Sequence, residues 1–102
     1  MPLSVRFAKA ASQDLEALTA WVAGRADAET ATAYIDRLKA RCASLHENAR
    51  RGRIRKPGRP PIRSIPFRGK ATILYRVRRA KVVIERIVHR GRDVDALLGH
   101  TR

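Results

Sequence analysis

The sequence is short of the residues that staple, ligate and stack. It holds one cysteine, Cys42, in 102 residues. A single thiol closes no internal disulfide and builds no multi-cysteine metal site, so a reduced, cytoplasmic setting is expected. Aromatic residues make up only 5% of the chain, so the core has to be mainly aliphatic. No stretch approaches the roughly 18 uncharged apolar residues that a membrane span needs. The opening Met1-Pro2-Leu3-Ser4-Val5-Arg6 lacks the basic-then-apolar run of a secretory signal. A Gly-rich phosphate loop, His-Glu-x-x-His, Gly-x-Ser-x-Gly and metal-spaced clusters are all missing, so no cofactor or metal is expected. Negative charge is scarce as well: Asp and Glu number 9 against 23 Lys and Arg, for a net charge of +14.

What remains is enough for one domain over residues 1–102. Hydrophobic residues are 44% of the chain, which argues against wholesale disorder. The positive charge is unevenly placed. Residues 1–48 carry six basic and six acidic side chains and are neutral, while residues 49–102 hold 17 basic against Glu85, Asp93 and Asp95. A neutral half joined to a strongly cationic half points to a polyanionic partner, either nucleic acid or an acidic protein. Arginine outnumbers lysine 18 to 5, which favours bidentate, geometrically specific contacts over loose phosphate attraction. Aromatic residues are not interleaved with the basic ones, which counts against a base-stacking module.

Periodicity divides the chain into helical and extended halves. Leu3, Val5 and Phe7 alternate with Ser4 and Arg6, as in a short strand. Ser12 is a plausible N-cap, with Asp14 and Glu16 in the first turn of a helix. Ala11, Leu15, Leu18 and Val22 form one face of that helix, and Gly24 fits its stop. Trp21 falls beside this stripe and reads as a packing residue. Asp27 can cap a second helix, whose stripe is Ala31, Ile35, Leu38, Cys42 and Leu45. Cys42 on that stripe reads as a buried core thiol. Arg50 to Pro61 carries two glycines, three prolines and six basic residues and reads as a cationic loop.

The remainder is extended. Arg63, Ile65 and Phe67 share a face, Gly69 and Lys70 make a turn, and Ile73, Tyr75 and Val77 alternate with Leu74, Arg76 and Arg78. Arg78 to Lys81 makes the next turn, before the β-branched run Val82 to His89. The expected fold is α+β, in the order β-α-α-β-β-β, with a curved antiparallel sheet and the helical hairpin packed on one face. In the tail, Val94, Leu97 and Leu98 recur at helical spacing and Asp93 can cap them. So short a helix must dock on the domain or on a partner. Two readings stay open: it packs on the sheet edge, or it joins Arg90 and Arg92 as a target-binding surface.

One enzymatic chemistry fits these residue types, namely metal-free RNA cleavage. It needs a base for the 2′-hydroxyl, an acid for the leaving oxygen and cations on the phosphate. His89 or Glu85 are the candidates for proton transfer, and Arg63, Arg76 and Arg86 for the phosphate clamp. Arg76 and Arg86 are expected to project from the sheet face away from the helices. The same arginines read more readily as solvated strand residues or as docking contacts for an acidic partner. Glu85 reads as an intramolecular ion-pair partner, and Tyr75 as packing on the helices with its hydroxyl at the edge. His89 is open between a structural strand-end residue and a functional one.

The sequence resembles the RelE/ParE superfamily of type II toxins, and within it the ParE branch. Val5-Arg6-Phe7-Ala8-Lys9-Ala10-Ala11 with Asp14-Leu15 is similar to that family's first strand and helix start. Ala33-Tyr34-Ile35 through Leu38 resembles its second helix, and Leu45 leads into a Gly-Arg loop at Gly52-Arg53. Ile62-Arg63-Ser64-Ile65 and Ile73-Leu74-Tyr75-Arg76-Val77 resemble two of its strands. Ile84-Glu85-Arg86-Ile87-Val88-His89, followed by Arg90-Gly91-Arg92-Asp93, is similar to its ending. The resemblance implies a toxin held by an acidic, ParD-like antitoxin in a hetero-oligomer. It implies DNA gyrase as the target of the ParE branch and mRNA on the ribosome as that of the RelE branch. The RelE pattern closes on a Tyr that is absent after His89, so the ParE branch is expected. There the chain binds its target without catalysis, and Arg63, Arg76, Arg86, His89, Arg90 and Arg92 are the candidate target- or antitoxin-binding residues. If it is a ribonuclease, Arg63, Arg76, Arg86 and His89 are the catalytic candidates. The Pro57-Gly58-Arg59-Pro60-Pro61 loop departs from both patterns and is assigned no role.

Overall fold

The computed structural model describes residues 3–68, 70–89 and 94–99. Strand β1 (Ser4–Phe7) leads into helices α1 (Lys9–Ala23) and α2 (Ala28–Ala43). Two 3-10 turns, Ser44–His46 and Ala49–Arg51, follow. Then come strands β2 (Arg53–Lys56), β3 (Ile62–Phe67), β4 (Ala71–Arg78) and β5 (Lys81–His89), and a short helix α3 (Val94–Leu97). The α+β arrangement and the β-α-α-β-β-β order are those expected, with one strand more. Strand β2 lies inside the segment read as a cationic loop, and pairs antiparallel with β3 across a register shift at Arg55. Its Arg-Ile-Arg-Lys sequence has one apolar residue, which gives no alternation to read.

The sheet order is β1-β5-β4-β3-β2. Strands β2 to β5 are antiparallel neighbours, but β1 runs parallel to β5, so the sheet is mixed where an antiparallel one was expected. The reason is topological: the helical hairpin carries the chain to β2 at the far edge, and three antiparallel steps through β3 and β4 bring β5 back beside β1 in the same direction. Arg79, at φ 48°, supplies the left-handed residue of the tight β4–β5 turn.

Helix α1 starts earlier than expected. Ala8, in extended conformation, is its N-cap, and Ser12 already donates its N–H to the Ala8 carbonyl at 3.0 Å. Lys9-Ala10-Ala11 are strong helix formers, so no side-chain cap is needed to begin there. Asp14 and Glu16 therefore lie beyond the first turn. Helix α2 starts as read: the Thr30 N–H donates to Asp27 Oδ1 at 2.7 Å, and that bond holds the Asp27 carboxyl below its ordinary value.

The two helical stripes cover one sheet face. Ala11, Leu18, Val22, Ala31, Ile35, Leu38, Cys42 and Leu45 are buried against Ile65, Phe67, Ile73, Tyr75, Val77, Val82, Ile84 and Ile87. Burial pushes the Cys42 thiol up to about 12, so it is inert packing material. The opposite face has its own small cluster of Ile62, Leu74, Val88 and Leu98, with Val94 and Leu97 packed against it. The tail thus docks on the sheet face, and Lys56 Nζ fixes it by donating to the Leu98 carbonyl at 2.8 Å.

Candidate functional site

Three strand arginines picked out as candidates each hold a different segment of the fold. Arg63 lies opposite Tyr75 in the β3–β4 pairing. Its Nη1 donates to the carbonyls of Arg50 and Gly52, both at 3.0 Å. The Tyr75 hydroxyl donates to the Ala49 carbonyl at 2.6 Å and accepts from the Gly52 N–H at 2.9 Å. The pair together pins the turn that precedes β2. Tyr75 is fully buried, hydroxyl included, where an edge position was expected, and burial raises its phenol above the ordinary value. Gly52 allows this approach, since a Cβ there would overlap the Tyr75 hydroxyl and ring. Gly52→Ala is expected to cost about 2–4 kcal/mol through overpacking and a broken buried hydrogen bond. A denaturant midpoint equal to that of the unsubstituted chain would refute this.

Arg76 lies on the sheet face away from the helices, as expected, in phase with Leu74 of the outer cluster. Its Nη1 donates to the Pro60 carbonyl at 2.7 Å, and its Nε sits 3.9 Å from Glu85 Oε1. The proline-rich loop and Glu85 are thereby tied to the sheet, and Glu85 is the intramolecular partner it was read to be. Arg86 departs from expectation. Its guanidinium turns to α1 and grips Asp14, with Nε to Oδ2 at 2.7 Å and Nη2 to Oδ1 at 3.0 Å. The cause is a gap in the sheet. β1 pairs with β5 only as far as Ile84, where Ala8 donates its N–H to the Ile84 carbonyl at 2.8 Å. Past that point α1 replaces β1 beside β5. The Ile87 N–H then finds its acceptor in Asp14 Oδ2 at 3.0 Å, and Arg86 completes the carboxylate.

His89 ends β5 and stacks on Trp21, with ring centroids 4.4 Å apart and tilted by 57°. Trp21, read as a packing residue, is 43% exposed and packs at the surface, outside the core. The Arg25 guanidinium lies 4.1 Å from its ring centroid. Arg90 and Arg92 lie outside the described residues. The structure therefore gathers His89 with Trp21 and Arg25, and gives Arg63, Arg76 and Arg86 separate fixing roles. Sequence reasoning missed Trp21, Arg25 and Tyr34 as a group. The available signal was the i, i+4 spacing of Trp21, off the apolar stripe of α1, and Arg25, just past the Gly24 C-cap.

The electrostatics follow from the same contacts. Arg63 bonds to neutral carbonyls, and no carboxylate among the described residues pairs with it. Among the described residues Arg55–Asp95, Arg76–Glu85 and Arg86–Asp14 form ion pairs. Seventeen cations against three carboxylates in residues 49–102 leave a surface suited to a polyanion. No helix among the described residues is long and apolar enough to cross a membrane.

Comparison with known proteins supplies the family. None of the curated proteins matches the sequence. Solved structures that share the fold include two toxin–antitoxin systems. A chromosomal ParDE toxin–antitoxin system from P. aeruginosa matches with a TM-score of 0.70 at 21% identity, over 85% of this chain and 95% of that one. The toxin–antitoxin complex RelBE2 from Mycobacterium tuberculosis matches with a TM-score of 0.55 at 24% identity, over 90% of this chain and 95% of that one. The family model of the ParE toxin of the type II toxin–antitoxin system parDE matches residues 5–94. With nearly the whole described fold inside that match, the chain belongs to the ParE family of type II toxin–antitoxin toxins.

Proposed function

We propose that this ParE-family toxin acts by binding, with DNA gyrase as its target, and is neutralised in the cytoplasm by an acidic, ParD-like antitoxin in a hetero-oligomer. The observation that carries the reading is the dispersal of the candidate phosphate clamp. Metal-free RNA cleavage needs cations and proton-transfer groups converging on one phosphate. Arg63 instead holds the turn before β2, Arg76 the proline-rich loop and Arg86 helix α1. The surplus positive charge suits recognition of an acidic chain, where it steers encounter and selects partners.

Expression without the antitoxin tests this reading in cells. Growth should stop with filamentation and a DNA-damage response. Co-expression of a small acidic protein encoded beside the toxin gene should restore growth. Rapid loss of translation with site-specific mRNA cuts would overturn the gyrase assignment in favour of a RelE-like ribosome-dependent endoribonuclease.

A further inference from the structure

We propose that the cavity at the linked end of the helical hairpin, beside the α1–α2 connection, seats an apolar side chain of an acidic peptide segment, whose carboxylates flank it on Arg25 and Lys70. This rests on the antitoxin reading above and names where part of that partner docks. The cavity is about 320 Å³, the size of one large side chain with its neighbours. Trp21, Val22, Ala26 and Tyr34 form its walls, from the end of α1, the link to α2 and α2 itself. Lys70, from the turn before β4, and His89, at the end of β5, close it.

Three observations select the occupant. First, no carboxylate lines the cavity, and among the described residues neither Arg25 nor Lys70 forms an ion pair. Asp27, close by in sequence, is committed to the Thr30 N–H. The rim thus offers two cations to an anion. Second, the Tyr34 hydroxyl is buried without a hydrogen-bond partner. A buried donor left unpaired is costly, so a small turn of the Tyr34 ring that brought the hydroxyl to a ligand acceptor would be favoured. Third, Trp21 already carries the Arg25 guanidinium and the His89 ring. The indole is therefore a wall fixed in place, not an open face for a base to stack upon. Apolar walls with a cationic rim fit a leucine-like anchor between carboxylates better than they fit a nucleotide. A second hollow of about 210 Å³ lies across the Trp21–His89 contact, lined by Ala17, Leu18 and Ile87. Its Asp14 is already neutralised by Arg86, so the peptide can continue along α1.

Trp21 is the only tryptophan in the chain and lines both hollows, so its fluorescence reports on a peptide seated at either side of it. The probe is an acetylated, amidated peptide, Glu-Asp-Leu-Leu-Glu-Asp, titrated into the full chain. It should shift the emission saturably to shorter wavelength. The same peptide with serine for leucine should bind at least tenfold more weakly. Arg25→Glu with Lys70→Glu should abolish the shift, whereas Lys39→Glu with Arg78→Glu, the same change of charge elsewhere, should preserve it. Tyr34→Phe should weaken the peptide about fivefold, in line with one lost hydrogen bond, while leaving the unfolding midpoint unchanged or raised.

Equal response to the serine peptide, or an unaltered response in the Arg25→Glu, Lys70→Glu chain, would overturn the proposal. Saturable shifts with adenosine monophosphate and none with the leucine peptide would overturn it in favour of a nucleotide site. The antitoxin itself separates this proposal from the reading beneath it. If antitoxin binds the unsubstituted chain and the Arg25→Glu, Lys70→Glu chain equally well, the cavity assignment falls and the antitoxin reading stands. If it binds neither, the antitoxin reading falls, and the peptide titration still decides the cavity.

Discussion

Asp14→Ala should be among the most destabilising single changes outside the aliphatic core. The substitution removes three hydrogen bonds at once, two from Arg86 and one from the Ile87 N–H. It leaves a guanidinium facing α1 without a counter-charge and an edge N–H without an acceptor. Breaking a fully buried pair in this way costs about 3–5 kcal/mol. Here the Arg86 side chain keeps 31% exposure against 12% for Asp14, so water recovers part of the loss and about 2–3 kcal/mol is expected. For a domain of this size that is a fall in Tm of roughly 10–15 °C. Asp14→Asn keeps one acceptor oxygen and loses the charge, so it should cost about half as much. Arg86→Ala in the Asp14→Ala background should add little, because the two act as one unit. Additive losses in that double variant would show that the contact does not join helix to sheet.

Loss of the tail should be as damaging by a different route. Leu98 is buried on the outer sheet face with Ile62, Leu74 and Val88. Leu98→Ala should cost about 2–3 kcal/mol, the lower part of the range for buried leucines, because the cluster is small and lies close to the surface. Truncation after Gly91 removes Val94 and Leu97 as well and bares the apolar patch beneath them. The product should bind a hydrophobic dye, aggregate and unfold at lower denaturant concentration than the full chain. A truncated chain that stays folded, binds antitoxin and has lost toxicity would instead return the tail to the target-binding surface.

Much of this architecture is legible in the sequence because the dominant signals are periodic. The α1 and α2 stripes, the Asp27 cap and the alternation through Ile73, Tyr75 and Val77 each follow from local chemistry. What escapes is whatever depends on a distant partner. Strand β2 exists because β3 pairs with it, not because Arg-Ile-Arg-Lys favours extension. Leu74 and Val88 look like isolated apolar residues on a polar face until the tail supplies Leu98. Asp14 reads as a helix-dipole residue, yet its role is set by where β1 ends beside β5, seventy-odd residues later in the chain. Arg86 misleads for the same reason: strand alternation takes no account of the register shift between Leu74 and Tyr75, which leaves Glu85 without a partner on β4. The Trp21 cavity draws on five separate segments, so no single motif could announce it.

The central claim is that this toxin works by binding gyrase, with its candidate arginines spent on structure and charge and not on catalysis. Purified toxin added to DNA gyrase, ATP and relaxed plasmid tests it directly. The account predicts dose-dependent loss of supercoiling, reversed by equimolar antitoxin, with no mRNA cleavage when the same preparation is added to translating ribosomes. Undiminished supercoiling together with codon-specific cuts on the ribosome would contradict it.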